Sequence, residues 1–176
     1  MRTGTTLLPI DYVNTDDNPA ADEESRHLDM ADWEVTDRTW AMVETAYGPH
    51  TWDRFATENN SRCASFSARV RQPRCQWPDA LTQPWAGETN YACPPESLIY
   101  RVLKHVQAQP GCSATLIVPT YTAVWSPLLA RLELSRTPLP PVDQAFRPGP
   151  SGHVEPWKKV GSDAPRKYVA VHVRAP

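Results

Sequence analysis

No two cysteines in this chain stand two residues apart. The four lie at 63, 75, 93 and 112, and no histidine sits at ligand spacing from any of them. That argues against the usual patterns of a zinc site. Long apolar runs are missing as well. Nothing is long enough to span a bilayer, and the opening MRTGTTLLPIDYVNT lacks the core of a secretory signal. The expectation is an intracellular protein with reduced thiols and no membrane partner. The net charge is only −2, so the chain as a whole carries no polyanion-binding signal. Glycine is scarce, at seven in 176 residues, and no clear glycine-rich loop appears.

Proline is abundant instead. It occurs 19 times in 176 residues, about twice the usual share, so long regular structure cannot run through most of the chain. At 19.8 kDa the chain is long enough for one domain with a real core. Charge is unevenly spread. Residues 1–37 hold ten carboxylates against Arg2 and Arg26, a local sum of −8, and the rest of the chain sums to +6. This is an acidic arm on a mildly basic body, or simply a solvated tail.

Residues 7–13 suit a short strand, 20–28 a helical turn or two, and 32–37 a connector. From Asp37 the spacing of Trp40, Val43 and Tyr47 predicts a helix, capped by Thr36 or Asp37 and stopped at Gly48-Pro49. Residues 51–56 suggest a strand. Residues 57–62 form a loop, and 73–88 resist assignment. Asn90–Cys93 reads as a strand ended by Pro94-Pro95. Leu98, Ile99, Val102, Leu103 and Val106 then fall on one helical face, which Pro110-Gly111 closes. The unbroken apolar run 114–119 predicts a strand covered on both faces. Trp125 and SPLLARLEL predict a second short helix.

Strands alternating with helices point to an α/β fold with a mostly parallel open sheet flanked by helices. Beyond 135 the chain is proline-rich and irregular, with eight prolines among its last 39 residues. Only YVAVHVR, 168–174, alternates cleanly, and it predicts an added strand, placed at a sheet edge.

The string NYACPPES at 90–97 sits where a strand gives way to a helix. In open α/β sheets ligands bind beyond the carboxyl ends of strands. This string resembles the catalytic motif of DNA adenine amino-methyltransferases. In that family an Asp, Asn or Ser precedes Pro-Pro and an aromatic residue follows; the first grips the target amine and the second stacks on the flipped base. HTWDRFATENN at 50–60 is similar to a string of the Dam-like domain found in DIRS-type retroelement polyproteins. So are WPDALTQPWAGETNYACPPESLIYRVLKHV and TLIVPTYTAVWSPLLARL. The resemblance covers residues 33–134, and more weakly the tail. DYVNTDDNPAADEESR resembles the end of the ribonuclease H domain of such polyproteins, with Asn18, Ala21, Asp22, Ser25 and Arg26 on motif positions.

The resemblance implies a division into a ribonuclease H tail (1–32), a Dam-like domain of the Rossmann-like methyltransferase type (33–134) and a proline-rich extension with a final strand (135–176). It places the catalytic corner at Cys93, Pro94, Pro95 and Glu96, and the cofactor positions at Asp53, Phe55 and Ala56. The cofactor of an active member would be S-adenosylmethionine. Asp22 would be one metal-binding carboxylate of the ribonuclease H set, insufficient by itself.

The departures matter equally. Cys93 stands where the family has an amide or carboxylate acceptor, and a thiol accepts poorly. Glu96 stands where an aromatic ring should be, and a carboxylate cannot stack on a base. The expectation is a degenerate methyltransferase domain that needs no cofactor and is not an active enzyme alone. Its partners would be the rest of the polyprotein and DNA or RNA. Arg62, Arg69, Arg71 and Arg74, with Phe66 and Trp77, suit a nucleic-acid surface, against the alternative of a solvated loop. Lys158, Lys159, Arg166 and Lys167 form a second cluster with the same alternative. Cys93 as a nucleophile lacks a base in reach, since His105 lies far along the helix. Trp77 and Trp85 flank the corner and suit ligand contact, whereas His50, His153 and His172 show no partners at usable spacing. Two further readings stay open: a nucleic-acid-binding module that keeps the base pocket, and a non-functional translated remnant.

Overall fold

The computed structural model describes residues 33–148 and 166–176. The expected elements at 7–13 and 20–28, the ribonuclease H match with Asp22, and His153, Lys158 and Lys159 lie outside the described residues.

The architecture is α/β. Seven strands form one sheet in the order β4-β3-β2-β5-β6-β9-β7. In chain order they are β2 (Trp52–Asp53), β3 (Ser65–Ala68), β4 (Trp77–Pro78), β5 (Thr89–Ala92), β6 (Ser113–Pro119), β7 (Glu133–Pro138) and β9 (Tyr168–Arg174). The five from β4 to β6 run parallel; β9 runs against both β6 and β7. Two further strands, β1 (Trp33–Val35) and β8 (Phe146–Pro148), pair antiparallel as a separate ribbon.

Helices cover both faces. Helix α1 (Asp37–Tyr47) starts where Thr36 accepts from the Thr39 amide, and Gly48 follows its end. Its Val43 packs with Val35, Tyr91, Ile117 and Ala170, joined by Val142 and Ala145 of α4 (Val142–Ala145). The opposite face carries α2 (Ile99–Gln107) and α3 (Ser126–Leu132) over the larger core of Leu116, Val118, Val169, Val171 and Val173. A 3₁₀ turn, Glu96–Leu98, leads from the Pro94-Pro95 corner into α2.

Four local expectations change. Residues 33–35 of the supposed connector form β1, because β8 supplies an antiparallel partner from far along the chain. Only Trp52 and Asp53 of 51–56 are strand, since the backbone turns away at Arg54. The helix after Trp125 stops at Leu132, and Glu133–Pro138 becomes β7. The C-terminal strand is not at an edge: β7 covers its outer side. The alternation of Val169, Val171 and Val173 marked one buried face, but the other face is also covered, with Ala170 in the α1 core.

Ala170 pairs with Ile117 on one side and Thr137 on the other. A proline at 170 removes a ladder donor from an interior strand. Ala170→Pro is expected to lower stability by at least about 1–3 kcal/mol, the cost of leaving a buried carbonyl without its donor. Urea unfolding followed by tryptophan fluorescence measures it; a loss below about 1 kcal/mol would indicate an edge strand.

Candidate functional site

Along the sheet, the chain leaves β2 toward β3 on one side, and β5 leads to β6 on the other. The crevice between β2 and β5 is therefore the topological switch point, where open α/β sheets place their ligands. Asp53 ends β2 there, and Cys93-Pro94-Pro95-Glu96 follows β5.

Asp53 is 2% exposed. Its Oδ1 accepts from the Phe55 amide at 3.3 Å and its Oδ2 from the Arg62 amide at 3.0 Å. One carboxylate thus closes the loop after β2. Burial pushes its pKa up to about 6, against the pull of these amides and of the Arg62 charge. Phe55 packs at the edge of the main core, and Ala56 is buried with Phe66, Ala68 and Cys75.

Cys93 is half-buried, and burial pushes its thiol up to about 12, with the Asp53 charge acting the same way and the Tyr91 hydroxyl bond opposing. Cys63, also near Asp53, is pushed up to about 12 by burial first. All four cysteines are free. Both thiols stay protonated at neutral pH, so a nucleophilic role for Cys93 has no support. Pro94 is buried, and Pro95 caps the 3₁₀ turn.

Glu96 accepts three hydrogen bonds. Its Oε1 accepts from Arg166 Nη1 at 2.5 Å and from the Tyr168 hydroxyl at 3.1 Å. Its Oε2 accepts from the Tyr121 hydroxyl at 2.5 Å. Arg166 also lies 5.9 Å from the Tyr121 ring centroid. The position expected to hold a stacking ring holds an ion pair braced by two phenols. Tyr121, 44% exposed, is the partly open aromatic side chain bonded to Glu96 at this corner. It lies just beyond β6, where the apolar run ends, and spacing from Pro-Pro did not reveal it.

The remaining expected residues scatter. Trp85 is 0% exposed and its indole N–H donates to the Ala80 carbonyl at 2.9 Å, so it meets no ligand. It belongs to the core because Arg54 stacks on it. Trp77 is 51% exposed on the edge strand β4, and Arg69 and Arg71, in the connection that leads from β3 to it, are exposed. Arg74 pairs with Glu58 at 3.1 Å, and Arg62 is tied to Asp37, Glu34 and the Val35 carbonyl. Phe66 is buried, so it stacks on no base. Of the second basic cluster, Arg166 is committed to Glu96 and Lys167 is exposed. His50 and His172, expected to be isolated, both contact Thr115. Sequence spacing hid this because the three residues come from separate elements. Among the described residues no group of three or more His, Cys, Asp and Glu side chains is placed to hold a metal ion. No helix among them is long and apolar enough to cross a membrane.

No known protein family matches the chain, and neither does any curated protein.

The Asp53 carboxyl is expected to titrate near pH 6, about two units above an exposed aspartate. Because the folded state takes up this proton first, the contribution of Asp53 to stability grows as pH falls from about 6 toward about 4, by up to about 3 kcal/mol. Carboxyl carbon NMR checks the midpoint; a value near 4 would contradict the burial.

Proposed function

We propose that this chain is a fragment of a DIRS-type retroelement polyprotein: the tail of a ribonuclease H domain, then a Dam-like domain of the methyltransferase type that no longer transfers methyl groups. The observation that carries this reading is the corner after β5. It stands at the switch point, where the family resemblance requires its catalytic motif, and its two chemical roles are filled by other interactions.

Strand order supports the fold part. Counted along the chain as strands one to seven, the sheet runs 3-2-1-4-5-7-6 with the seventh strand reversed. The first five places are those of a Rossmann-like sheet. A reversed strand lies inside the sheet next to the fifth.

Site chemistry supports the loss of turnover. The target amine needs an acceptor beside the prolines, and Cys93 offers a neutral, partly buried thiol. The base needs a ring to lie on, and Glu96 is a carboxylate already holding three donors. The residues expected to hold S-adenosylmethionine do not fit it. Both Asp53 oxygens are taken by backbone amides, and Asp53 and Ala56 are buried.

The exposed edge at Trp77, Arg69 and Arg71 favours a second reading, a nucleic-acid-binding module without turnover. Filter binding across a salt series tests it, because phosphate contacts predict affinity that falls steeply with salt.

For the main reading, calorimetry with S-adenosylmethionine is expected to give no heat with the wild-type chain. The same measurement on Cys93→Asn with Glu96→Trp asks whether the family residues alone restore binding. Labelled methyl groups passing from donor to duplex DNA under the wild-type chain would overturn the proposal.

A further inference from the structure

A line of polar side chains runs under α1 and takes no part in the function proposed above. Glu44 lies in the last turn of α1, His50 follows the helix, Thr115 is on β6 and His172 on β9. His50 Nδ1 donates to Glu44 Oε2 over 2.5 Å, and the His50 backbone amide donates to Glu44 Oε1 over 3.1 Å. His50 Nε2 lies 2.9 Å from Thr115 Oγ1, and His172 Nδ1 lies 3.5 Å from that same oxygen. Carboxylate, imidazole and hydroxyl in a row have the layout of a hydrolytic triad. Yet Thr115 is 1% exposed and the His50 side chain has no exposed surface, so no substrate reaches them.

Donor counting shows what the line can do. A threonine hydroxyl has one hydrogen and two lone pairs. With His50 uncharged, its hydrogen is on Nδ1 toward Glu44, so bare Nε2 accepts from the Thr115 hydroxyl. The Thr115 oxygen then accepts from Nδ1–H of His172. A proton added at Nε2 of His50 reverses both bonds. Nε2–H now donates to Thr115, and the hydroxyl turns to His172, whose Nδ1 must be bare and whose hydrogen moves to Nε2. A second proton, on His172, puts an N–H on both sides of one oxygen. The hydroxyl hydrogen then has no acceptor, and two cations face each other across a buried atom.

We propose that Glu44, His50, Thr115 and His172 form a proton-counting seat for α1: it takes up one proton by reversing the Thr115 hydroxyl, and uptake of a second loosens α1 from the sheet. The surroundings favour one proton over two. Glu44 of α1 supplies negative charge on the His50 side. Tyr91 of β5 places a neutral ring 5.9 Å from His50, and Tyr47 of α1 stacks on His172 at 5.5 Å. On β9, Arg174 adds positive charge on the His172 side. Burial first, then the charges of His50 and Arg174, hold His172 below the ordinary histidine range. The contribution of His172 to stability is therefore intact above about pH 6.5 and drains as pH falls through that unfolded value toward the lower folded one. The seat stands whether or not the domain ever moved a methyl group.

Histidine nitrogen NMR on the full chain from pH 8 to pH 5 tests it. In the wild type, His172 is expected to pass from the Nδ1–H to the Nε2–H form as the pH falls. Thr115→Val should abolish that step, and Thr115→Ser should keep it, which separates loss of the hydroxyl from loss of the fold. Amide exchange at Val43, corrected for intrinsic rate, should rise about tenfold from pH 7 to pH 5, the equivalent of one pKa unit. His172→Asn should suppress that rise. A single His172 tautomer throughout the titration, the same step in Thr115→Val, or Val43 exchange unaffected by His172→Asn would each overturn the proposal.

Discussion

The amide of Asn90 holds three strands and a loop in one place. It sits on β5 beside the switch point, 1% exposed. The two hydrogens on its Nδ2 serve three carbonyls, one of them shared: Trp85 at 2.9 Å, Glu88 at 3.0 Å and Ser113 at 2.8 Å. Its Oδ1 accepts from Arg54 Nε at 2.7 Å. One side chain thus ties the start of β6 and the loop before β5 to the residue that leaves β2. Arg54 depends on it. That guanidinium lies 4.3 Å from the Trp52 ring and 5.2 Å from the Trp85 ring, and no carboxylate forms an ion pair with it among the described residues. Burial lowers its pKa to about 10, yet it stays charged at neutral pH. A buried cation without a carboxylate persists only when its donors and its faces are engaged. Asn90 and the two indoles do both, which is why Trp85 is core and not a ligand contact.

The same economy explains the corner after β5. Glu96 and Arg166 are both about three-quarters or more buried as side chains, at 24% and 20% exposed. A largely buried pair is worthwhile only when its remaining donors and lone pairs are also used. Tyr121 and Tyr168 supply those bonds. They also join the end of β6 and the start of β9 to the turn that opens α2, so what looks like a lost active-site residue is a working tie between three elements. A ring at 96 would leave Arg166 and two phenols without their acceptor. A change at 96 would therefore disturb several contacts at once.

Legibility in the sequence followed the range of the interactions. Helix α1, with Thr36 as cap and Gly48 beyond its end, is legible because its signals are local. So are the apolar face of α2 and the run of β6. The 90–97 string also announced its place at a strand end. Strands β7 and β8 were not legible, since ELSRTP and FRP have no apolar period of their own and become strands only because β9 and β1 pair with them. The interior place of β9 was hidden for the same reason: alternation reports a face, not a neighbour. The polar ties of the site were the least visible. Glu96 meets Arg166 across 70 positions and His50 meets Thr115 across 65, and nothing in spacing encodes such distances.

Proline abundance, which limits long regular structure, is accommodated by a division of labour. From β5 onward the sheet is served by helices that bury apolar faces. From β2 to β5 no α-helix intervenes, and side chains bonded to backbone take over. Asp53 pins the loop after β2 at both ends. Gln72 accepts from the Glu58 amide at 2.9 Å, joining that loop to the next one. Gln76 accepts from the Phe66 amide at 2.7 Å, and Asp79 from the Leu81 amide at 3.1 Å. Parallel strands ordinarily need a long crossover, most often a helix, to return the chain to the same end of the sheet. Here short loops suffice because β2, β3 and β4 are themselves only two to four residues long. Little chain is needed to climb back, and each bend can be fixed by one polar side chain. The consequence is an asymmetric molecule, rigid by packing on one half of the sheet and by individual hydrogen bonds on the other. The switch point, with Asp53 and Asn90, lies on the line between them.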